Sequence, residues 1–256
     1  MHTLVIAEIG SAWRCGKNHL GNAVYAVSTA KWAGADAVKF QFTSDPRAME
    51  LRRNVPEGSY TILAWPEEWI AAIKQQCDEI GIEFMCTIFH KDDIAKINQY
   101  VKRWKVASLE SEDDGLVHEM RLTGKPVIVS HGAMDASQGR AGYKSLGHLH
   151  CTAAYPAKLD SLNLSVISNY GYDGYSDHSC DALTGALAVA CGASIVEVHF
   201  KLFDTPSDNP DYRHSLWPEQ LRDYIANIRK AEVMLGDGVK RVMPCEEWAL
   251  QHKVKA

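Results

Sequence analysis

The feature of the sequence that most constrains its fold is a strand–helix–strand unit between residues 174 and 200. Residues 174–178 and 195–200 are short apolar or aromatic runs, and they carry His178 and His199 near their ends. A Gly- and Ala-rich segment of helical length, residues 181–191, separates the two runs. A crossover of this size joins two parallel strands that lie side by side. Both histidines are therefore predicted at the carboxyl ends of neighbouring parallel strands, where α/β folds bind their ligands.

The two imidazoles form a candidate metal site, because carboxylates from Asp177 and Glu197 are close to them in the sequence. A lone histidine in a strand is more often a hydrogen-bonded core residue than a metal ligand. Two histidines at adjacent strand ends strengthen the metal interpretation, since one ion could contact both rings.

Strands and helices alternate along the whole chain. Buried strands are predicted at residues 4–10, 37–41, 83–89, 103–108, 126–130, 148–151, 172–176 and 195–200. A first helix ends at residues 33–34, and further helices are predicted at residues 66–80, 90–100, 112–122, 159–170, 181–191 and 217–235. Eight strands and about seven helices without a linker predict one α/β domain over residues 1–256, a (β/α)8 TIM barrel.

Two segments depart from this alternation. Residues 42–62 contain two prolines and mixed charges, and we expect them to form a loop above the barrel. Residues 131–147 consist mainly of Gly, Ser, Ala and isolated charges, without an apolar stripe of helical period. The fifth helix is therefore predicted to be missing or reduced to a turn.

Charge and composition argue against binding to nucleic acid and against a membrane-spanning segment. The net charge of -5 and the lack of a basic run argue against nucleic acid. The most apolar stretch, residues 182–198, is interrupted by Gly185 and Gly192 and carries Glu197, so it does not predict a membrane span. The N-terminus lacks a signal-peptide pattern, and the seven cysteines show no paired spacing. We expect a cytoplasmic protein with reduced thiols that acts on small molecules.

Polar residues gather at the ends of the predicted strands, and in a parallel barrel these ends meet at one mouth. They are Glu8, Lys39, Gln41, Thr87, Lys105, Ser108, Glu110, Ser130, Tyr155, His178 and His199. Barrel closure puts strand eight beside strand one, so Glu8 should approach His199. Lys39 and Lys105, with hydroxyl side chains between them in strand order, predict a cradle for a phosphate group. An anion site beside a metal indicates chemistry on a phosphorylated small molecule.

Each of these residues also has a purely structural interpretation. Lys39 could extend out of the barrel top as a solvated charge, and Glu8 could be a buried acid paired with Lys39. The hydroxyl groups could be ordinary hydrogen-bonding groups at strand ends. The functional interpretation depends on the convergence of all of them.

A series of motifs runs in order from residue 4 to about residue 221. The motifs are IAEIG at 6–10, NHLG at 18–21, AGADAVKFQ at 33–41, KVAS at 105–108, HCT at 150–152 with YP at 155–156, GYSDH at 174–178, EVHF at 197–200, and PD at 210–211 followed by SL at 215–216. Together they resemble the sialic acid synthase (N-acetylneuraminate synthase) family.

The resemblance implies a (β/α)8 barrel and a transferase that condenses phosphoenolpyruvate with the aldehyde of an open-chain N-acyl hexosamine such as N-acetylmannosamine. The products would be a sialic-acid-like nonulosonate, which is a nine-carbon 2-keto acid sugar, and phosphate. A divalent metal, usually Mn²⁺, would bind His178 and His199. Fe²⁺, Co²⁺ or Zn²⁺ would fit the same donors.

The resemblance also implies roles for the other residues of the mouth. The phosphoenolpyruvate would be held by Lys39, Thr87, Lys105, Ser108 and Ser130. The sugar would face Gln41, Glu110, Tyr155 and Asp211. Glu8 would lie beside the metal and its water, and the residues expected to act in catalysis are Glu8, Glu110, His178 and His199.

The sequence departs from the family pattern at several positions. Ala153 stands where the family has an asparagine, and Tyr212 stands where it has a histidine. Typical members continue into a small antifreeze-like domain that contributes an arginine to the sugar site of a partner subunit, whereas this sequence ends at Ala256. Arg213, Arg14 or a separate polypeptide could take the place of that arginine.

Two alternatives to this function remain open. A related barrel could retain the phosphate cradle and the metal but join phosphoenolpyruvate to a different aldose. Alternatively, the chain could be a non-catalytic barrel subunit or one that depends on a partner. The exposed flanks of the barrel and the weak segment at residues 131–147 suggest a homodimer or a partner chain that completes the site.

Overall fold

The computed structural model describes residues 2–135 and 147–254, and eight parallel strands form its centre. The strands pair in sequence order, and the eighth pairs with the first, so the sheet closes into a barrel. They are β1 (Leu4–Gly10), β2 (Ala37–Phe42), β3 (Glu83–Ile88), β4 (Trp104–Val106), β5 (Val127–His131), β6 (Gly147–Cys151), β7 (Gly174–Asp177) and β8 (Ile195–His199). The closed sheet confirms the predicted (β/α)8 barrel.

Helices cover the outside of the barrel. The helices of the described residues are α1 (His19–Ala33), α2 (Pro46–Arg53), α3 (Glu68–Ile80), α4 (Ile94–Ile97), α5 (Asp114–Leu122), α6 (Val166–Tyr170), α7 (Thr184–Ala190), α8 (Pro218–Leu235) and α9 (Glu247–His252). Of these, α2 lies at the mouth of the barrel and α9 buries no residue. No helix in the described part of the chain is both long enough and apolar enough to cross a membrane. All seven cysteines are free thiols.

Residues 42–62 differ most from the sequence prediction. The expected loop contains α2, and the Asp45 carboxylate caps its N-terminus by accepting a hydrogen bond from the Ala48 amide at 2.9 Å. Met49 and Glu50 are the only residues of α2 that are buried. Because the helix has no apolar stripe, hydrophobic periodicity could not reveal it.

The predicted helices at residues 90–100 and 159–170 are shorter than expected. Each begins with a 3₁₀ turn, Lys91–Asp93 or Leu159–Ser161, and the α-helical parts are only α4 and α6. The fifth helix was predicted to be missing or reduced to a turn within residues 131–147. Residues 136–146 of this segment lie outside the described part of the chain.

Two layers of inward-facing side chains fill the barrel. The lower layer is apolar and consists of Ile6, Ala37, Met85, Ile128 and Leu149. Because side chains alternate along a strand, the residue two positions further on faces inward one layer nearer the mouth. That upper layer includes Glu8, Lys39, Thr87, Ser130 and Cys151, all of which are buried. The alternation thus puts a polar layer on an apolar base.

Candidate active site at the barrel mouth

A cavity of about 290 Å³, hereafter the mouth cavity, opens at the carboxyl ends of the strands. Most of the residues predicted from the sequence line it: Lys39, Gln41, Lys105, Ser108, Ser130, Tyr155, His178, His199 and Asp211. Glu8 and Thr87 are fully buried and contact Lys39. Glu110 lies behind Arg53, with which it forms an ion pair. The predicted convergence at one mouth is therefore present, and Glu110 is set back from the cavity.

Two buried lysines and two buried glutamates form the floor of the mouth cavity. Lys39 pairs with Glu8 and donates a hydrogen bond to the Thr87 hydroxyl at 2.9 Å. Its ammonium group also lies 3.6 Å from Glu197 Oε2. Lys39 is therefore not a solvated charge above the barrel, and the pairing with Glu8 that the sequence left open is present.

Glu197 lies between the two lysines and was not recognised as part of this network. The Lys105 ammonium group is 3.3 Å from Glu197 Oε1 and donates to the Ser130 hydroxyl at 2.7 Å. The Ser176 hydroxyl donates to Glu197 at 3.1 Å. The sequence does contain a signal for this role of Glu197, which stands between two valines in a buried strand. It also precedes His199 by two residues and therefore lies on the same inward face.

Asp177, which the sequence placed beside the histidines, faces away from them. Its carboxylate accepts hydrogen bonds from the Tyr224 hydroxyl and the Ser179 amide, both at 2.8 Å. Since Asp177 follows the inward-facing Ser176 in β7, alternation turns its side chain toward α8. This carboxylate therefore connects the barrel wall to α8 and does not enter the mouth cavity.

The buried charges shift the pKa values of the two glutamates in opposite directions. Burial, together with the nearby Glu197 and Asp211 carboxylates, outweighs the attraction of Lys39 and raises the pKa of Glu8 to about 7. Burial would also raise the pKa of Glu197, but Lys105 and Lys39 outweigh it and lower that pKa. Burial would lower the pKa of Lys39, but Glu197 and Glu8 raise it to about 12. The two lysines thus favour the ionised form of Glu197, and the pKa of Glu8 lies near neutral pH.

His178 and His199 lie side by side at the rim of the mouth cavity, with ring centroids 5.4 Å apart. His178 Nδ1 donates to the Thr152 carbonyl at 2.9 Å, which leaves the lone pair on Nε2. His199 Nδ1 is buried and has no hydrogen-bond partner among the described residues. Burial lowers the pKa of His178 to about 4 and lowers that of His199 well below its usual value. Neutral rings with free ring nitrogens are the form that binds a metal, so these residues fit a divalent cation.

Barrel closure brings Asp211 to the loop that follows β1. Its carboxylate accepts hydrogen bonds from the Ser11 amide at 2.6 Å and the Ser11 hydroxyl at 2.5 Å. Gly10 has φ 52° there, and a Cβ atom on it would lie 2.5 Å from Asp211 Oδ2. Only glycine permits this close approach.

The outer wall of the mouth cavity combines an arginine with apolar groups. The Arg53 guanidinium lies over the rings of Tyr60 and Phe89, at 5.0 and 5.3 Å from their centroids, and pairs with Glu110. Met49 and Leu63 complete this wall. Arg53 is thus an arginine of the cavity wall that the sequence analysis did not name.

The two arginines that the sequence analysis suggested lie elsewhere. Arg213 is exposed, and Arg14 donates to the Ala64 carbonyl at 3.3 Å, so neither side chain lines the mouth cavity. Arg53 escaped the sequence analysis because it belongs to the helix α2 that we did not expect.

Comparisons with known proteins identify a family for the chain. The model of the NeuB family matches residues 26–240. N,N'-diacetyllegionaminic acid synthase of Legionella pneumophila is 32% identical over 94% of this chain and 75% of the relative. Pseudaminic acid synthase of Campylobacter jejuni is 30% identical over 98% of this chain and 79% of the relative. The crystal structure of N-acetylneuraminic acid synthetase from Leptospira borgpetersenii superimposes with a TM-score of 0.86 at 26% identity, covering 98% of this chain and 91% of that one.

Proposed function

Because the chain belongs to the NeuB family, we propose that it is a phosphoenolpyruvate-dependent synthase of a sialic-acid-like nonulosonate. The observation that carries the proposal is the combination of two buried lysines with two neutral histidines around one cavity. The lysines suit an anion, and the histidines suit a divalent cation, for which Mn²⁺ is our first choice. The acceptor is an open-chain N-acyl hexosamine such as N-acetylmannosamine.

The lysines hold the phosphate end of phosphoenolpyruvate. The Ser130 hydroxyl already contacts Lys105, and Thr87 contacts Lys39, so both ammonium groups are held in place before the substrate arrives. Ser108, which lines the same cavity, adds a third hydroxyl group. Preorganised donors of this kind stabilise charge at a leaving phosphate without a reorganisation cost.

The outer wall binds the acceptor sugar. Gln41, Tyr155 and Asp211 present polar groups at the rim, while Met49 and Leu63 offer an apolar patch. Such a mixture suits a sugar whose hydroxyl groups need hydrogen bonds and whose N-acyl group carries a methyl. Glu110 acts by holding Arg53 in place within this wall.

The reaction forms one carbon–carbon bond and breaks one carbon–oxygen bond. C3 of phosphoenolpyruvate bonds to the aldehyde carbon, water adds at C2, and the bond between C2 and the phosphate oxygen breaks. A cation bound by His178 and His199 would polarise the aldehyde oxygen and lower the pKa of water. Glu8, whose pKa is about 7, donates the proton that the aldehyde oxygen needs to become a hydroxyl group. The water that adds at C2 supplies two protons, of which one returns to Glu8 and the other leaves with the phosphate.

The test is release of phosphate by the purified protein. It is measured with Mn²⁺, phosphoenolpyruvate and a panel of 2-acetamido sugars and simple aldoses, and with each component omitted in turn. We expect phosphate only when all three components are present, and mass spectrometry should find the nine-carbon keto acid. Turnover with a simple aldose alone would favour the alternative acceptor class. Phosphate release that does not depend on an aldose would contradict the proposal. So would the absence of phosphate release with every sugar of the panel.

A further inference from the structure

A third imidazole, His214, faces the two histidines at the mouth. It ends the 3₁₀ turn Tyr212–His214 that follows Asp211, and its side chain is buried. Its ring centroid lies 4.6 Å from that of His199 and 6.2 Å from that of His178. Neither the strand pattern nor the resemblance drew attention to this residue.

The hydrogen bonds of His214 leave one of its ring nitrogens free. His214 Nε2 donates to Asp211 Oδ1 at 3.2 Å, so the lone pair is on Nδ1. That Nδ1 is buried and has no hydrogen-bond partner within residues 2–135 and 147–254. A histidine that donates one nitrogen to a carboxylate and keeps the other free has the arrangement of metal-binding histidines.

The neighbours of His214 also offer ligand atoms. Among the described residues, His199, Asp211 and His214 each have a ligand atom, and these atoms lie within 4.8 Å of one another. His178 is not part of this set and is connected to it through its ring contacts with His199 and His214. His199 Nδ1 is 3.8 Å from Asp211 Oδ1, and this nitrogen also has no hydrogen-bond partner in the described ranges. Two buried imidazole nitrogens without a partner are costly, and a cation shared between the two rings would satisfy them.

The separations of the three ring centroids lie in the range that one shared ion allows. An imidazole centroid lies roughly 3.2 Å from an ion bound at about 2.0–2.1 Å, so two rings on one ion are about 4.5 Å apart at right angles and about 6.4 Å apart when opposite. The observed separations of 4.6, 5.4 and 6.2 Å fall within this range.

We propose that His214 is a third imidazole ligand of the cation that His178 and His199 hold, with Asp211 orienting its ring. The inference rests on the proposed cation site and adds a ligand to it. Three nitrogen donors favour Co²⁺, Ni²⁺ or Zn²⁺ over Mn²⁺ more strongly than two do. His214 therefore shifts the metal preference of this chain toward the later divalent ions.

The test counts the imidazoles on the metal. Protein labelled with ¹⁵N-histidine is loaded with Mn²⁺, and pulsed EPR resolves the nitrogens coupled to the ion. We expect three coupled histidines in the wild type and two in His214→Ala. The affinity for Co²⁺, measured by competition with a chelating dye, should fall at least roughly tenfold in that variant. His118→Ala removes an exposed histidine of α5 and should change neither measurement.

The count in the wild type needs no variant, so misfolding of His214→Ala does not remove the test. Two coupled histidines in the wild type would overturn the role of His214 and leave the proposed function standing. No coupled histidine at all would overturn the cation site itself. An unchanged Co²⁺ affinity in a folded His214→Ala would also overturn the inference.

Discussion

Glu8 and Glu197 are buried carboxylates on neighbouring strands that differ in their surroundings. Glu197 lies between two ammonium groups, 3.6 Å from that of Lys39 and 3.3 Å from that of Lys105. Glu8 pairs with Lys39 and accepts a hydrogen bond from the Gly10 amide at 2.6 Å. A second lysine thus keeps Glu197 ionised, while Glu8 with one lysine remains able to carry a proton. Two carboxylates in different environments can take different parts in one reaction.

Replacing Glu8 by glutamine tests this division. Since the pKa of Glu8 is raised to about 7 and the proposed role requires the protonated form, kcat/KM of the wild type should fall as the pH rises through about 7. Glu8→Gln should lose that dependence and lower kcat by about 10²- to 10⁴-fold. The measurement is a pH–rate profile from pH 5.5 to 9. A variant that retains the alkaline decline would show that another group titrates.

The residues of the polar layer could be predicted singly from the sequence, because each lies in a strand of period two. Lys39 and Gln41 share the inward face of β2, as that period requires. His214 could not be predicted in this way, since a 3₁₀ turn of three residues has no periodicity from which to assign a face. Its place depends on the long loop that returns Asp211 to β1.

At the scale of elements, the strands were easier to predict than the helices. β1 was predicted with the bounds that it has, because buried parallel strands are apolar runs. α2 was missed because its sequence is polar and its burial is slight. This helix carries Arg53, so the missed element removed a residue of the cavity wall from the prediction.

The packing of α7 on α8 depends on Gly185. A Cβ atom at this position would lie 2.6 Å from the Tyr224 ring, whose hydroxyl holds Asp177 next to His178. We expect Gly185→Ala to destabilise the protein by about 1–3 kcal/mol, because the ring must move in a closely packed interface. Urea unfolding measures the change.

Gly115→Ala is the matched control for Gly185→Ala. Gly115 is an exposed residue of α5, and a Cβ atom there would be 3.4 Å from Asp113 Oδ1, an ordinary van der Waals contact. Alanine at an exposed helical position should stabilise by about 0.5–1 kcal/mol. Equal effects of the two substitutions would show that the contact with Tyr224 does not limit packing.

The lower end of the barrel is tied together by Asp36. Its carboxylate accepts hydrogen bonds at 2.8 Å from the Val5 amide and from Arg229 of α8. Burial would raise the pKa of Asp36, but hydrogen bonds from Val5, His2 and Arg229 lower it. A depressed pKa stabilises the folded state above the unfolded pKa of about 3.9, and this stabilisation is lost as the pH falls through the folded value.

Asp36→Asn should therefore cost about 1–2 kcal/mol at pH 7 and progressively less below about pH 4. Urea unfolding of both proteins at pH 7, 5 and 3 provides the comparison. Asp78→Asn alters a surface pair with Lys74 on α3 and should change the free energy of unfolding by less than about 0.5 kcal/mol. A cost for Asp36→Asn that persists undiminished at pH 3 would contradict the role of its charge.

At the scale of the whole molecule, closure of the barrel determines the site. The ammonium groups, the histidines and Asp211 come from β2, β4, the ends of β7 and β8, and the loop after β8. The alternation of strands and helices predicts that closure, and parallel strands put the ends on one rim. The contact between Gly10 and Asp211 spans about 200 residues and follows no local pattern, so only the folded chain reveals it.

Phosphoenolpyruvate should stabilise the whole barrel, because it binds to groups contributed by strands that are far apart in sequence. At a phosphoenolpyruvate concentration of one hundred times Kd, the free energy of unfolding rises by about 2.7 kcal/mol. For a domain of this size that corresponds to a rise in Tm of about 5–10 °C.

Lys105→Met removes the ammonium group beside Ser130 and should abolish most of the rise in Tm. Lys125→Met changes a lysine at the opposite end, which donates to the Val101 carbonyl at 2.8 Å, and should leave the rise intact. Differential scanning calorimetry without metal measures both, and equal shifts in the two variants would mean that the anion binds outside the mouth cavity.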